Sequence, residues 1–162
     1  MRLTVYTDYA LRLLMYLAVK EDGLATISEI AVSYGISKNH LMKVAHQLGQ
    51  AGYVGTVRGR GGGLQLAKPV AEINLGAVVR YTEPDLAVVA CLKPVDAPCA
   101  IKSCCVLRHA LAKAADAFIA VLDGYTLADL VKPRMPLRRL LAINPPRRAG
   151  SSMIGSTGRP AP

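Results

Sequence analysis

Four cysteines lie close together in the second half of this 162-residue chain, at positions Cys91, Cys99, Cys104 and Cys105. Structural disulfides are disfavoured in the reducing cytoplasm. In a chain that we expect to be cytoplasmic, a local cluster of cysteines therefore indicates metal binding or redox sensing before it indicates a covalent cross-link.

The spacing of these cysteines narrows the kind of metal site. Cys91, Cys99 and Cys105 follow the pattern C-x7-C-x5-C, and Cys104 directly precedes the last of them. Zinc sites usually contain C-x2-C pairs and four protein ligands, so zinc held by three cysteines and His109 is the less favoured alternative. Three thiolates on a proline-containing loop suit an iron–sulfur cluster better, because thiolates are its usual ligands. Such a cluster would leave one coordination position for another group.

Polar and basic residues recur at helical spacing in the first half of the chain. Asn39 has the donor and acceptor that pair with adenine, and Lys38 and Lys43 suit phosphate or guanine. Side chains of these types contact both phosphates and base edges in DNA complexes. The outward positions of this predicted helix are Ser37, Lys38, Asn39, His40, Lys43, His46 and Gln47.

A basic, glycine-rich turn, RGRGGG at residues 58–63, follows this helix. Its glycines let the backbone approach DNA closely, and Arg58 and Arg60 can reach a phosphate or a narrow minor groove. No acidic residue occurs from Ala31 to Ala71, so no carboxylate on this surface would repel DNA. The alternative is an ordinary solvated hairpin after a polar helix, and the acid-free window favours double-stranded DNA binding over it.

Apolar periodicity predicts the elements that position these residues. We expect helices at residues 8–20, with Thr7 as the cap, at 26–34, and at 37–50, with Ser37 as the cap and a tight turn at Gly35. Short strands are expected at 53–57 and 64–67, a brief helix at 75–81 and a long amphipathic helix at 105–122. The apolar stripe of the long helix is Leu107, Leu111, Ala114, Phe118 and Val121 or Leu122.

This order predicts a mainly α fold with a small β wing, in which a winged helix-turn-helix is joined to a long dimerisation helix. We divide the chain into a DNA-binding domain at 1–82, a cysteine-rich cluster-binding loop at 83–104, the dimerisation helix with a C-terminal helical segment at 105–143, and a basic disordered tail at 144–162. The net charge of +9 is concentrated in residues 132–162, which hold seven basic and no acidic residues. No apolar run is long enough for a membrane span.

Together these segments resemble the winged-helix family of bacterial iron–sulfur repressors that includes IscR and NsrR. The resemblance covers residues 1 to about 143. It rests on LTVYTDYALR at 3–12, ISKNHLMK at 36–43, AGYV at 51–54, RGRGGG at 58–63, the three-cysteine loop and YTLADLV at 125–131.

Within that family the chain resembles the nitric-oxide-sensing NsrR type. IscR-type members have a histidine ligand three residues after the last cysteine, where this chain has Arg108. The NsrR type uses an aspartate from the other subunit, and Asp8 matches that position. The resemblance thus implies a [4Fe–4S] cluster held by Cys91, Cys99 and Cys105 of one chain and Asp8 of its partner. The gap between the first two cysteines is longer than is usual in the family, and Cys104 is an extra residue that could substitute for Cys105.

The function implied is that of a homodimeric transcriptional repressor that binds a palindromic operator and releases it when nitric oxide attacks the cluster. A regulator of the same fold that senses iron or cluster status is one alternative, and a metal-free thiol redox switch is another. An enzyme is not expected, because the sequence contains no nucleophile–base set, paired carboxylates or cofactor fingerprint.

Overall fold

A computed structural model describes residues 2–20, 23–93 and 98–143. Its elements in chain order are α1 (Val5–Val19), α2 (Ile27–Tyr34), α3 (Lys38–Gln50), β1 (Val54–Val57), β2 (Gly63–Leu66), α4 (Leu75–Thr82), α5 (Val106–Asp123), α6 (Leu127–Leu130) and α7 (Arg134–Leu140). Short 3₁₀ turns occur at Val70–Glu72, Ala90–Leu92 and Lys102–Cys104. The predicted tail at 144–162 lies outside the described residues.

Helix α1 is the centre of the core. Its inward face is fully buried at Ala10, Leu13 and Leu14, and it packs on α2, α3, α4, α6, α7 and β2. The prediction that Thr7 caps this helix is wrong. Thr4 is the N-cap and accepts a hydrogen bond from the Thr7 main-chain N–H, so the helix begins three residues earlier than expected.

The helix-turn-helix is formed by α2 and α3. A capping box of Thr26 and Glu29 starts α2, and Gly35 ends it in the left-handed conformation (φ 64°), which favours glycine. Four apolar side chains of α3 are buried, at Leu41, Val44, Ala45 and Leu48. Ser37 occupies the N-cap position of α3 but makes no capping hydrogen bond with its side chain, contrary to the prediction.

The wing is the antiparallel hairpin of β1 and β2, in which Val54 pairs with Leu66 and Val57 with Gly63. Leu64 also exchanges two main-chain hydrogen bonds with Ala25, which ties the hairpin to the segment before α2. The β wing and the mainly α architecture predicted from the sequence are both present.

Helix α5 packs on α4 near the C-terminal end of α5. Much of the length of α5 is uncovered. Ile119 is its one buried residue, while Leu111, Phe118 and Leu122 are half-buried. The predicted apolar stripe therefore divides into two faces, because only one side of the helix meets α4. The α5 face, as we call the other side, consists of the exposed residues Leu107, Ala110, Ala114, Ala117 and Val121.

The C-terminal helix α7 returns to the start of the fold. Leu141 and Ile143, just after it, are buried, and the Ser33 hydroxyl donates to the Leu141 carbonyl at 2.9 Å. Arg138 donates to the Val19 carbonyl at 3.1 Å, placing a cation at the C-terminal end of α1, where the helix dipole favours positive charge. In the described part of the chain, no helix is both long and apolar enough to cross a membrane.

Candidate functional site

The outward surface of α3 presents the side chains that the sequence singled out for DNA contact. Ser37, Lys38, Asn39, His40 and Lys43 are all exposed, as are His46 and Gln47. The ring of His40 lies 6.1 Å from that of Tyr9 on α1, so His40 is in contact with the first helix as well as with solvent. The polar side of α3 is thus open to a ligand, while its apolar side is buried in the core.

The tip of the wing has a conformation that requires its glycines. Gly59 and Gly61 have φ values of 104° and 80°, which side chains rarely adopt, and a Cβ on Gly62 would overlap the Val57 carbonyl oxygen. The turn is closed by a hydrogen bond of 2.9 Å from the Gly62 N–H to the Gly59 carbonyl. The glycines therefore serve the turn itself, in addition to the close approach to DNA that the sequence suggested.

The wing and α3 together form a surface with unpaired positive charge. Arg58 and Arg60 are exposed at the tip of the hairpin. Within the described residues, neither of them, nor Lys38 or Lys43, forms an ion pair, and no carboxylate occurs between Ala31 and Ala71 to neutralise them. Such a surface attracts the phosphates of DNA.

Sequence reasoning missed Tyr81, which is bonded to the C-terminal end of α3. The Tyr81 hydroxyl donates to the Gln47 main-chain carbonyl at 3.0 Å, and its ring packs edge-on against Tyr53 with centroids 6.3 Å apart. No motif marks this tyrosine, since the contact joins two helices that are distant in sequence and has no local signature.

All four cysteines are unpaired thiols. Cys91 is half-buried in a 3₁₀ turn, and Cys105 is the half-buried N-cap of α5, whereas Cys99 and Cys104 are exposed. The Cys105 Sγ accepts a hydrogen bond of 3.3 Å from the Arg108 main-chain N–H, and the Cys104 Sγ lies 3.5 Å from the Ile101 carbonyl.

Arg108 joins the first and last of the predicted ligand cysteines. Besides its main-chain bond to Cys105, its Nε donates to the Cys91 carbonyl at 3.3 Å. A guanidinium stays protonated and has no lone pair to offer a metal, so this residue positions the two segments and is itself unable to ligate. If a cluster is bound here, its fourth ligand would have to come from another residue.

Cys99 does not form a metal-binding group with Cys91 and Cys105 in the single chain. It lines an open cavity of about 500 Å³ with Lys102, Arg108 and His109. Across residues 2–20, 23–93 and 98–143, no three cysteine, histidine, aspartate or glutamate side chains lie close enough together to hold a metal ion. The donor chemistry fits an iron–sulfur cluster, but a complete ligand set requires the cysteine segments to rearrange so that Cys91, Cys99 and Cys105 come together.

Asp8, the ligand expected from the partner, lies in the first turn of α1. Its carboxylate accepts a hydrogen bond of 2.9 Å from the Arg12 Nε in a half-exposed i, i+4 ion pair. It lines an open cavity of about 340 Å³, whose other lining residues are Arg2, Leu3, Thr4, Val5, Leu11 and Arg12. The carboxylate is accessible from outside the chain, at a position where a helix N-terminus favours negative charge.

Comparison with known proteins matches the chain to transcriptional regulators. Residues 3–133 match the Rrf2 family, described as an iron-dependent transcriptional regulator. The chain is 51% identical over 142 residues to the HTH-type transcriptional regulator NsrR of Bacillus subtilis, covering 87% of this chain and 97% of that protein. It is 49% identical over 142 residues to the regulator of the same name from Geobacillus kaustophilus, with the same coverage of each chain.

Solved structures share the fold. CymR of B. subtilis, described as the global cysteine regulator of that organism, superposes with a TM-score of 0.67 at 26% identity, covering 82% of this chain and 98% of that one. IscR of T. potens superposes with a TM-score of 0.64 at 25% identity, covering 82% of this chain and 88% of that one.

Proposed function

This chain belongs to the Rrf2 family of transcriptional regulators, and from that membership we propose that it is a dimeric repressor whose DNA binding is controlled by an iron–sulfur cluster sensitive to nitric oxide. Its family makes it a DNA-binding regulator and not an enzyme. The proposal concerns how it is assembled and what it senses.

The observation that carries the cluster proposal is the bridge made by Arg108. The Arg108 side chain is bonded to the Cys91 carbonyl and its main-chain N–H to the Cys105 Sγ, so the segments that carry two of the three proposed thiolate ligands meet at one residue. Cys99 is the third ligand, and it reaches the others by rearrangement of the loop. Coupling of metal binding to local folding of this kind is common, because a complete site rarely exists before the metal is present.

Asp8 of the partner chain is the fourth ligand in this proposal. To reach iron its carboxylate has to leave Arg12, to which it is paired in the single chain. An exposed pair of this type is worth little, so a small free-energy cost opposes the exchange. A bound cluster would supply a reactive iron at its carboxylate-ligated corner, where nitric oxide can attack.

A second copy of the chain is the occupant we propose for the α5 face. The face is apolar along four turns, and Ala110, Ala114 and Ala117 at its centre are small enough for two helices to approach closely. Leu107 and Val121 at its two ends are 65% and 62% exposed. Pairing of two such faces covers these side chains and gives a two-fold dimer with two α3 helices, which suits a palindromic operator.

In this dimer Ser37, Lys38, Asn39, His40 and Lys43 contact the major groove, and Arg58 and Arg60 of the wing contact phosphates or the minor groove. Their exposure and their lack of carboxylate neighbours support the assignment. Asn39 is the residue best suited to read a base, because its amide has a donor and an acceptor for adenine.

The cluster proposal is tested by purifying the protein without oxygen and measuring iron, acid-labile sulfide and visible absorption. DNA affinity is then compared before and after addition of nitric oxide. We expect a coloured protein. Its affinity for a DNA duplex selected from a random pool should fall when nitric oxide is added. A colourless protein with full affinity would contradict the proposal.

Serine variants separate the ligands from the bystander. Cys91→Ser, Cys99→Ser and Cys105→Ser should each lose the cluster, while Cys104→Ser serves as the matched control and should keep it. If Cys104→Ser loses the cluster and Cys105→Ser retains it, the assignment of the last ligand is wrong.

Asp8→Ala should leave the fold intact and make the cluster less stable. If the stability of the cluster does not change, Asp8 is only a charge at a helix end.

A metal-free thiol switch is the second candidate, since Cys104 is exposed and adjacent to Cys105 and all four thiols are free. It predicts no iron or sulfide and a DNA affinity that responds to disulfide-forming oxidants. Sensing of iron status, the other alternative, predicts that chelation alone releases DNA.

A further inference from the structure

The C-terminal end of α4 is bonded to the end of α5 through an exposed ion pair. Both guanidinium nitrogens of Arg80 donate to the Asp123 carboxylate, at 2.7 and 2.5 Å. Gly76, one turn earlier on α4, makes room for this carboxylate, because a Cβ there would overlap it. A two-pronged pair of this kind fixes direction as well as distance, so the last residue of α5 has a defined position on α4.

The next residue of α4 is bonded to the DNA-reading helix. Tyr81 donates to the Gln47 carbonyl, which also accepts the Ala51 N–H at the C-terminal end of α3. The bond is therefore made to the last turns of α3, while the residues proposed to enter the groove lie in its first two turns. Helix α3 also packs on α1, α2 and β1, but because it is a rigid rod about 20 Å long, a small displacement of its last turn is transmitted to its first turns.

The two residues after Tyr81 are bonded to α1. The Thr82 hydroxyl accepts from the Thr7 hydroxyl at 2.9 Å, in the buried core. The Glu83 carboxylate accepts from the main-chain N–H of Thr4, the N-cap of α1, at 2.7 Å. Thr7 directly precedes Asp8, so α4 is also linked to the turn that carries the proposed partner ligand.

We propose that Tyr81 is a positioning residue for DNA recognition, and that residues 80–83 form a junction through which the end of α5 and the start of α1 set the angle of α3. The inference rests on the proposed function, because it supplies a route by which a dimer-bound cluster would reach the DNA-reading helix. Arg80 and Tyr81 are consecutive residues of α4 and project about 100° apart around it. Because both belong to one helix, a shift of α4 at the Asp123 contact also displaces the Gln47 contact.

The test is a double-mutant cycle on DNA affinity. The variants are Tyr81→Phe, which removes only a hydroxyl, Asp123→Asn, which removes the charge of the ion pair, and the two combined. Affinity is measured for a duplex selected from a random pool by the wild-type protein and for an unrelated duplex of equal length. Tyr125→Phe, at a tyrosine of similar exposure between α5 and α6, is the control.

We expect each single variant to bind the selected duplex about threefold to tenfold more weakly, the range for loss of one hydrogen bond. Binding to the unrelated duplex, which depends on phosphate contacts, should not change. The double variant should bind no more weakly than the weaker single variant, because both substitutions release the same junction. Tyr125→Phe should bind like the wild type.

Unchanged binding of the selected duplex by Tyr81→Phe would overturn the positioning role, as would an equal loss on both duplexes. Losses that multiply in the double variant would show two independent contacts and no junction. Each protein is measured with and without its cluster. If the wild type binds equally in both states, the proposed switch fails, while the cycle still decides the junction. If Asp123→Asn does not fold, Arg80→Lys removes the two-pronged geometry instead.

Discussion

The winged half of the molecule, α1–α3 with the hairpin, and the half formed by the cysteine loop and α5 differ in how much of their own apolar surface they cover. In the winged half Leu13, Leu14 and Leu41 are fully buried, and the exposed surface is mostly polar and basic, with single apolar side chains such as Val32 and Met42. Along α5, Ile119 is the one buried residue and Leu107 and Val121 are exposed. The first half is complete within one chain, whereas the second has surface left for a partner.

The largest effect that sharpens this contrast is on folding. Leu41→Ala should lower the free energy of unfolding by about 2–5 kcal/mol, because it opens a cavity in a closed core. Leu107→Ala, the same substitution at a side chain that is 65% exposed, should change it by less than about 0.5 kcal/mol. Urea unfolding measures both, in the monomeric background described next so that dimerisation does not contribute. Equal costs would mean that α5 is covered within its own chain.

The next effect is on assembly. Ala114→Glu places a carboxylate at the centre of the α5 face and opposite its own copy in a two-fold dimer, so the dimer dissociation constant should rise by about 100-fold or more. Lys113→Glu, an exposed neighbour on the same helix but outside the face, is the control and should leave it within a few-fold. Sedimentation velocity over a concentration series distinguishes them. A dimer that survives Ala114→Glu would place the interface elsewhere.

The same contrast explains how much of the structure the sequence predicted. Elements of the winged half were predicted to within a few residues, because a periodic stripe such as Leu41, Val44, Ala45 and Leu48 and the turn at Gly35 are local signals. The start of α1 was misplaced because both Thr4 and Thr7 can cap a helix, and only the burial of Thr7 against Thr82 distinguishes them. The uncovered side of α5 carries the same apolar residues as a buried side, so periodicity alone could not divide it.

The candidate site was predictable in residue type more than in geometry. Exposed basic residues on α3 and the wing follow from helical phase and turn chemistry. The contacts made by Tyr81 and Arg108 join segments far apart in the chain, and neither has a local signature. The positions of the cysteines relative to one another depend on loop conformation, which residue spacing does not determine.

The third effect is on DNA binding and separates the charges of the two halves. Arg58→Ala combined with Arg60→Ala should weaken binding about 10- to 30-fold and lower the slope of log affinity against log salt by about one for each arginine that contacts a phosphate. Lys113→Ala removes a charge of the same sign from α5 and should change neither. Fluorescence anisotropy at several salt concentrations measures both quantities. An unchanged salt slope in the double variant would remove the wing from the interface.

The smallest effect compares two capping boxes, one at the helix-turn-helix and one just after α5, on a short helix that packs on α1. Glu29 closes the capping box of α2, and Asp129 closes the one of α6. Burial raises the pKa of Glu29, but hydrogen bonds from Lys20 and Thr26 outweigh it, so the pKa lies below its ordinary value. The pKa of Asp129 is lowered mainly by the hydrogen bond from Lys132, with further bonds from the Thr126 N–H and hydroxyl.

A lowered pKa in the folded state means that each carboxylate stabilises the fold above the ordinary values of 4.5 for Glu29 and 3.8 for Asp129, and that this contribution is lost as pH falls through the folded-state pKa. Glu29→Gln and Asp129→Asn should therefore melt below the wild type at pH 7. Glu29→Gln should approach the wild type as the pH falls below 4.5, and Asp129→Asn only as the pH falls well below 3.8, because its pKa is lowered further. Thermal unfolding across that interval measures the difference.

Because Glu29 also forms an ion pair with Lys20 at the end of α1, its loss should destabilise the core of the winged half. Asp129 is bonded only within residues 126–132 among the described residues, so its loss should cost less stability than the loss of Glu29. If instead Asp129→Asn is the more destabilising and its difference from the wild type does not shrink in acid, the contribution of Asp129 does not come from its ionised carboxylate, and the comparison of the two capping boxes fails.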